Sequence, residues 1–119
     1  MPPINSRRKG ANFERDIARA LRAVWPDARR RGGAQADGRG CEPDVDGTPF
    51  WIECKRTKTS THAQRVAWLE QATREACASP TPRPTVLIAR ENGRQARVYR
   101  LDGPWLSACP LVHWIALHI

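Results

Sequence analysis

The chain has 119 residues, 40% of them hydrophobic and 27% charged, with a net charge of +8 and a pI of about 10.4. That length fits a single domain over residues 1–119 with one core, the composition excludes global disorder, and no apolar run approaches the roughly 20 residues that span a bilayer. The charge excess implies a polyanionic partner, and it is concentrated: residues 1–40 hold ten Lys/Arg against four Asp/Glu.

The N-terminus is basic at Arg7-Arg8-Lys9, but no apolar stretch follows it as in a signal peptide. A cytoplasmic protein, of a bacterium or of a phage-infected host cell, is expected. The four cysteines, Cys41, Cys54, Cys77 and Cys109, form no CxxC pair, so reduced and mostly buried thiols are expected. Phe13, Ile17, Ala20, Leu21 and Val24 make one apolar stripe, which predicts a helix over 10–25 that Pro26 stops. Arg15, Arg19 and Arg22 lie off that stripe and can face a phosphate backbone.

A short strand is expected from Ala28. The Arg- and Gly-rich stretch to residue 42 then reads as a mobile loop or turn. Pro43 to Val45 open a strand, Asp46-Gly47 signals a tight turn, and Phe50-Trp51-Ile52-Glu53-Cys54-Lys55 reads as the return strand of a hairpin. A second helix is expected over 61–78. After a proline-rich connector, Thr85 to Ala89 reads as a buried central strand, and Asn92-Gly93 turns it into a strand over 96–101. The fold class is therefore α/β: a mixed sheet with helices packed on it. The apolar tail from Trp105 to Ile119 reads first as a last core element and second as a dimer contact.

One group of residues carries chemistry. Side chains alternate along a strand, so Glu53 and Lys55 share a face while Ile52 and Cys54 point the other way. If the hairpin closes at Asp46-Gly47, Asp44 comes close to Glu53. Two hard carboxylate ligands suit Mg²⁺, and a neighbouring ammonium can offset charge that develops on a phosphoryl group. A surface hairpin with a Glu–Lys pair would look the same, but the flanking Phe50, Trp51 and Ile52 favour an interior strand, where such charges need a partner. Glu14 sits at the edge of the first helix's stripe; it either leans toward the sheet or is a solvated acid in the helix's first turn.

Pro43-Asp44 followed by Glu53-Cys54-Lys55 resembles the signature of the PD-(D/E)XK nuclease superfamily. Lys9-Gly10, then Phe13-Glu14-Arg15, then Arg29-Arg30-Arg31-Gly32, is similar to the archaeal-type and phage Holliday junction resolvases. The resemblance covers roughly residues 7–100 and implies a restriction-endonuclease-like core in α-β-β-β-α-β order. It implies a metal-dependent DNA endonuclease with Asp44, Glu53, the Cys54 backbone carbonyl and Glu14 on Mg²⁺, for which Mn²⁺ could substitute. Lys55 would be the catalytic lysine and Gln71 a polar residue on the following helix, with Gln64 a weaker candidate. Phosphate contacts are expected from Arg7, Arg8, Lys9, Arg15, Arg29, Arg30, Arg31, Arg56 and Lys58, and His62 reads as a cap or phosphate contact. The implied substrate is a four-way DNA junction and the implied state a homodimer away from membranes.

The chain departs from the resolvase pattern in its Gly-rich loop, where Asp37 and Glu42 compete as acids, and in having Cys54 where an aliphatic residue is usual. A nicking, flap or mismatch nuclease of the same superfamily fits the same residues. A catalytically inactive DNA-binding protein would be expected to have lost one of the carboxylates. A basic RNA-binding domain would want exposed aromatics, and the chain has one Tyr and two Phe.

Overall fold

The computed structural model describes residues 3–31 and 42–119, without the side chains of residues 3–7. Most of the Gly-rich loop, with Asp37 and Cys41, and the side chain of Arg7 lie outside the described residues. In chain order the elements are α1 (Pro3–Leu21), β1 (Arg29–Arg30), β2 (Val45–Asp46), β3 (Trp51–Thr57), α2 (His62–Ala78), β4 (Thr85–Glu91), β5 (Arg97–Asp102), β6 (Trp105–Pro110) and α3 (Leu111–Ala116). The first six follow the expected α-β-β-β-α-β order.

The strands form one six-stranded sheet in the order β1-β2-β3-β4-β5-β6. Only β3 and β4 are parallel, because α2 carries the chain back across the sheet between them. The other neighbours are antiparallel. Alternation along the strands divides the core in two. On one face Val45, Ile52, Cys54, Val86, Ile88 and Val98 pack against Phe13, Ile17, Ala18 and Leu21 of α1. On the other, Trp51 meets Ala72 and Ala76 of α2, and Leu87 and Ala89 meet Leu69.

The local signals explain most boundaries. Thr61 caps α2: its hydroxyl accepts the Gln64 N–H, and the Gln64 side chain accepts the Thr61 N–H. Gln64 is thereby a capping residue, and His62 is the first residue of the helix, exposed. Asn92-Gly93 turns β4 into β5 as expected, with Gly93 at φ 73°.

Three expectations need correction. α1 starts at Pro3 instead of residue 10, with proline in the first turn where its missing N–H costs nothing. It ends at Leu21 instead of Trp25: Val24 and Trp25 both donate to the Leu21 carbonyl in a turn, which carries Trp25 onto Phe50 and Trp114. The β2–β3 hairpin does not close in a two-residue turn. Asp46 pairs with Arg29 inside the sheet, and the loop runs over 47–50, held by the Thr48 hydroxyl and the Phe50 backbone. Cys54 alone of the described cysteines is buried, whereas Cys77 is exposed and Cys109 half-buried.

The tail is a core element in part. β6 extends the sheet along β5, and α3 buries Leu111 and Trp114 under the α1 face. Trp105, Val112, Leu117 and Ile119 remain exposed. No helix among the described residues is long and apolar enough to cross a membrane.

Candidate active site

Asp44 lies immediately before β2, and its backbone is held on both sides. Its N–H donates to the Ile52 carbonyl at 2.9 Å, and its carbonyl accepts the Arg31 N–H at 3.0 Å. Val45 pairs with Ile52 in the antiparallel register, which brings Asp44 level with Glu53, and the Cys54 N–H donates to Asp44 Oδ2 at 2.8 Å. Ile52 and Cys54 enter the α1 face of the core, so Glu53 and Lys55 project onto the α2 face, as their spacing predicts. Lys55 Nζ stands 3.6 Å from Glu53 Oε2 and 5.5 Å from the centre of the Trp68 ring on α2.

These carboxylates are poorly solvated; the Glu53 side chain is 19% exposed. Burial pushes the Asp44 carboxyl up to about 6, against the Cys54 N–H and Lys55, and the charges of Glu14 and Glu75 push the same way as burial. Burial also pushes Glu53 up to about 7, and the Asp44 charge adds to it while Lys55 opposes. The Cys54 thiol is raised well above its usual range by burial first and by the acids around it second. It stays a thiol that fills space rather than a nucleophile.

Two desolvated carboxylates that raise one another's proton affinity are a donor set that a divalent cation relieves. Asp44 uses one oxygen on the Cys54 N–H and has another to offer. Among the described residues no three Asp, Glu, His or Cys side chains close into a cage. A pair of carboxylates is a donor set compatible with Mg²⁺, which keeps several waters and takes one or two carboxylates.

The remaining predicted residues fall in different places. Glu14, on α1, is near enough to act on Asp44 but is held by Arg30, whose Nε donates to Glu14 Oε1 at 2.8 Å. Gln71 is exposed and donates to Glu75 Oε2 at 3.2 Å. The α2 residue whose charge reaches both Asp44 and Glu53 is Glu75, which the sequence reading missed. Its signal was present: Trp68, Ala72 and Glu75 follow at helical spacing on the side of α2 that faces β3.

The expected phosphate-binding cations divide into two groups. Arg30 is engaged by Glu14, and Arg31 makes a bidentate pair with Glu42 at 2.7 Å. Arg29 lies 3.7 Å and Arg31 3.8 Å from Asp46. Arg15 bonds to Asn12 and Arg22 to the Ala28 carbonyl. Arg8, Lys9 and Lys58 are exposed, and Lys9 and Arg56 meet at the Asn92 side chain, 3.0 and 2.7 Å from its Oδ1.

Asp46, two residues beyond Asp44, has the opposite surroundings. Burial would raise its carboxyl, but the Arg83 Nη1 bond at 2.9 Å, the Gly47 N–H and the charges of Arg83 and Arg29 outweigh it and hold the group below its ordinary value. It joins β1, β2 and the connector before β4.

A family model described as "Phage putative PDDEXK endonuclease" matches residues 5–102, which runs from α1 through β5 and leaves β6 and α3 outside. No curated protein and no solved structure matches the chain.

Proposed function

Since the chain belongs to the phage PDDEXK endonuclease family, we propose that it is a Mg²⁺-dependent endodeoxyribonuclease that hydrolyses phosphodiester bonds at Asp44, Glu53 and Lys55. The observation that carries this reading is the pair of desolvated carboxylates, Asp44 and Glu53, with the Lys55 ammonium 3.6 Å from the second of them. Such a cluster weakens the fold unless a cation or substrate completes it.

Asp44, Glu53 and the Cys54 carbonyl would hold the metal, with Glu14 at its edge once released from Arg30. Bound there, the cation would supply Lewis acidity toward a phosphoryl oxygen and toward water. The chain's own groups do the rest. The Cys54 N–H fixes the rotamer of Asp44. Lys55, held between Glu53 and the Trp68 ring, directs its charge at the phosphate and offsets the negative charge that builds there. Arg8, Lys9, Arg56 and Lys58 then serve as contacts for flanking phosphates.

A four-way junction is the proposed substrate, supported by the Lys9-Gly10 and Phe13-Glu14-Arg15 resemblance and by Glu14 lying within electrostatic reach of Asp44. Paired cuts in opposite strands would need two copies of this single site, hence a homodimer. The test is cleavage of labelled four-way junction, flap, mismatch and plain duplex in Mg²⁺, Mn²⁺ or EDTA, beside Lys55→Ala. Paired metal-dependent cuts in the junction, lost in Lys55→Ala, are expected. Cutting of the other substrates with the junction ignored would remove the junction assignment and keep the site. Salt-sensitive binding without any cutting would replace the enzyme with a DNA-binding protein.

A further inference from the structure

On the far flank of α2 from Lys55 lies a groove of about 600 Å³. Arg65, Arg94, Arg97, Tyr99 and Leu106 line it, together with Glu91. The sequence reading assigned a role to none of these arginines.

Arg65 is fixed in place. Its Nη1 donates to the Ser60 carbonyl and hydroxyl at 2.9 and 2.8 Å, and its guanidinium lies 5.2 Å from the centre of the Tyr99 ring. Its Nε is shielded from water and has no partner. Arg94 is 76% exposed and only loosely paired with Glu91, at 3.9 Å. Among the described residues no carboxylate pairs with Arg65 or Arg97. In contrast to Arg30 and Arg31, these cations are available to an outside anion.

The groove also lies on the same face of the sheet as the candidate active site. Lys55, Ala89 and Arg97 are register partners on three neighbouring strands, so the Lys55 and Arg97 backbones are two strand spacings apart, about 10 Å. That is about three nucleotide steps at about 3.4 Å of axial rise per nucleotide on one strand. α2 covers the direct line between them. The open way round its N-terminal end passes Arg56, Lys58 and Asn92 at the ends of β3 and β4: the Asn92 N–H donates to the Lys58 carbonyl, and Arg94 follows in the same turn.

We propose that this groove is a second DNA-backbone site, in which Arg65, Arg94 and Arg97 hold phosphates a few nucleotides from the cleaved bond. The inference rests on the reading of the chain as a DNA nuclease and adds where the DNA runs once it leaves the carboxylates: along the rim of β3 and β4 and around α2. Tyr99 and Leu106 form the wall against which the backbone lies. A phosphate entering the groove would give the Arg65 guanidinium the anionic partner it lacks.

The test is binding of fluorescent duplex DNA in EDTA across a salt titration, with cleavage kinetics in Mg²⁺ alongside. The variants are Arg97→Glu, Arg94→Glu and the double, with the milder Arg97→Gln. Arg74→Glu, exposed on α2, makes the charge change of one groove variant elsewhere. Both groove arginines are exposed, so the fold is expected to survive, which thermal melting checks. The double variant is expected to lose about 10-fold in affinity near physiological salt and about 1.8 from the slope of log K against log salt. Its KM should rise with kcat unchanged, and Arg97→Gln should fall between it and wild type. A double variant that matches wild type or Arg74→Glu, in a chain that still cuts, overturns the groove and leaves the nuclease standing. Affinity lost in the variants of a chain that binds but never cuts keeps the groove and removes the nuclease. A wild type that binds no DNA overturns both.

Discussion

Asp44 and Asp46 stand on either side of Val45, both are partly buried, and the fold treats them in opposite ways. Asp44 shares its surroundings with Glu14, Glu53 and Glu75, so its proton affinity is raised; Asp46 is ringed by Arg29, Arg31 and Arg83, so its proton affinity is lowered. Burial pushes both carboxyls the same way, so the sign of the neighbours decides the outcome. Asp46 is complete as it stands and ties three segments together. Asp44 has Lys55 as the one cation that opposes its burial and the acids around it, which is what the proposed metal site requires. A shift of two residues along β2 would carry Asp46 into the place of Asp44.

The comparison breaks most sharply if activity and stability fail to separate. Lys55→Ala or Glu53→Gln should lower metal-dependent cleavage by about 10²-fold or more while the chain melts as a folded protein. Asp46→Asn should leave kcat near wild type. In urea it should cost about 1–3 kcal/mol, because it leaves the partly buried Arg83 guanidinium short of its anion and weakens the contacts to Arg29 and Arg31. Gly47→Ala, next to it, should cost about 2 kcal/mol or more. Gly47 has φ 85°, and a Cβ there would run into the Asp27 carbonyl. Asp46→Asn that abolished cutting without loosening the fold would overturn the division of labour.

The pH dependence of stability should sharpen it. Unfolded Asp and Glu titrate near about 4. Folded Asp44 and Glu53 titrate near about 6 and about 7, so between those limits the native chain holds the extra protons. Stability of the metal-free protein should therefore fall as pH rises from about 4 to about 7. At about 4 °C for each kcal/mol, the change is a matter of degrees in melting temperature. Asp46 works in the other direction and in another window: its contribution is present above the ordinary carboxyl value and is lost as pH falls through its lowered one. Glu53→Gln should flatten the neutral-range slope and leave the acid-range loss unchanged. Mg²⁺ at pH 8 should raise the wild-type melting temperature more than that of Asp44→Asn; equal shifts would place the cation elsewhere.

The placing of Glu53 and Lys55 was legible in the sequence, and the surroundings of Asp46 were not. Alternation along 50–55 put Glu53 and Lys55 on one face without further information. Asp46 read only as a turn residue, because its strongest partner, Arg83, lies 37 positions away in a stretch that looked like a connector. The Arg29–Arg31 run read as a phosphate patch for the same reason: residue type was visible, but the carboxylates that engage Arg30 and Arg31 arrive from α1 and from the end of the Gly-rich loop. α1 was placed by its apolar stripe, which marks the buried face of a helix and not its length. The tail has Leu111 and Trp114 buried and Val112 exposed between them, a division that no periodicity in so short a helix could have shown.

Glu75 offers the smallest and most discriminating effect. Its charge raises both Asp44 and Glu53 from α2, and Gln71 is hydrogen-bonded to it. Glu75→Gln removes the charge and nearly keeps the shape. Both carboxyls should then ionise at lower pH, and the acid limb of the cleavage-rate profile should move downward with little change on its plateau. Gln71→Ala, which leaves the Glu75 charge in place, should move the limb less. A limb that stays put in Glu75→Gln would mean that solvent screens Glu75 from the site. A limb that moves upward would mean that Glu75 contributes a ligand oxygen itself, since cation binding would then be weaker and the carboxylates would hold their protons to higher pH.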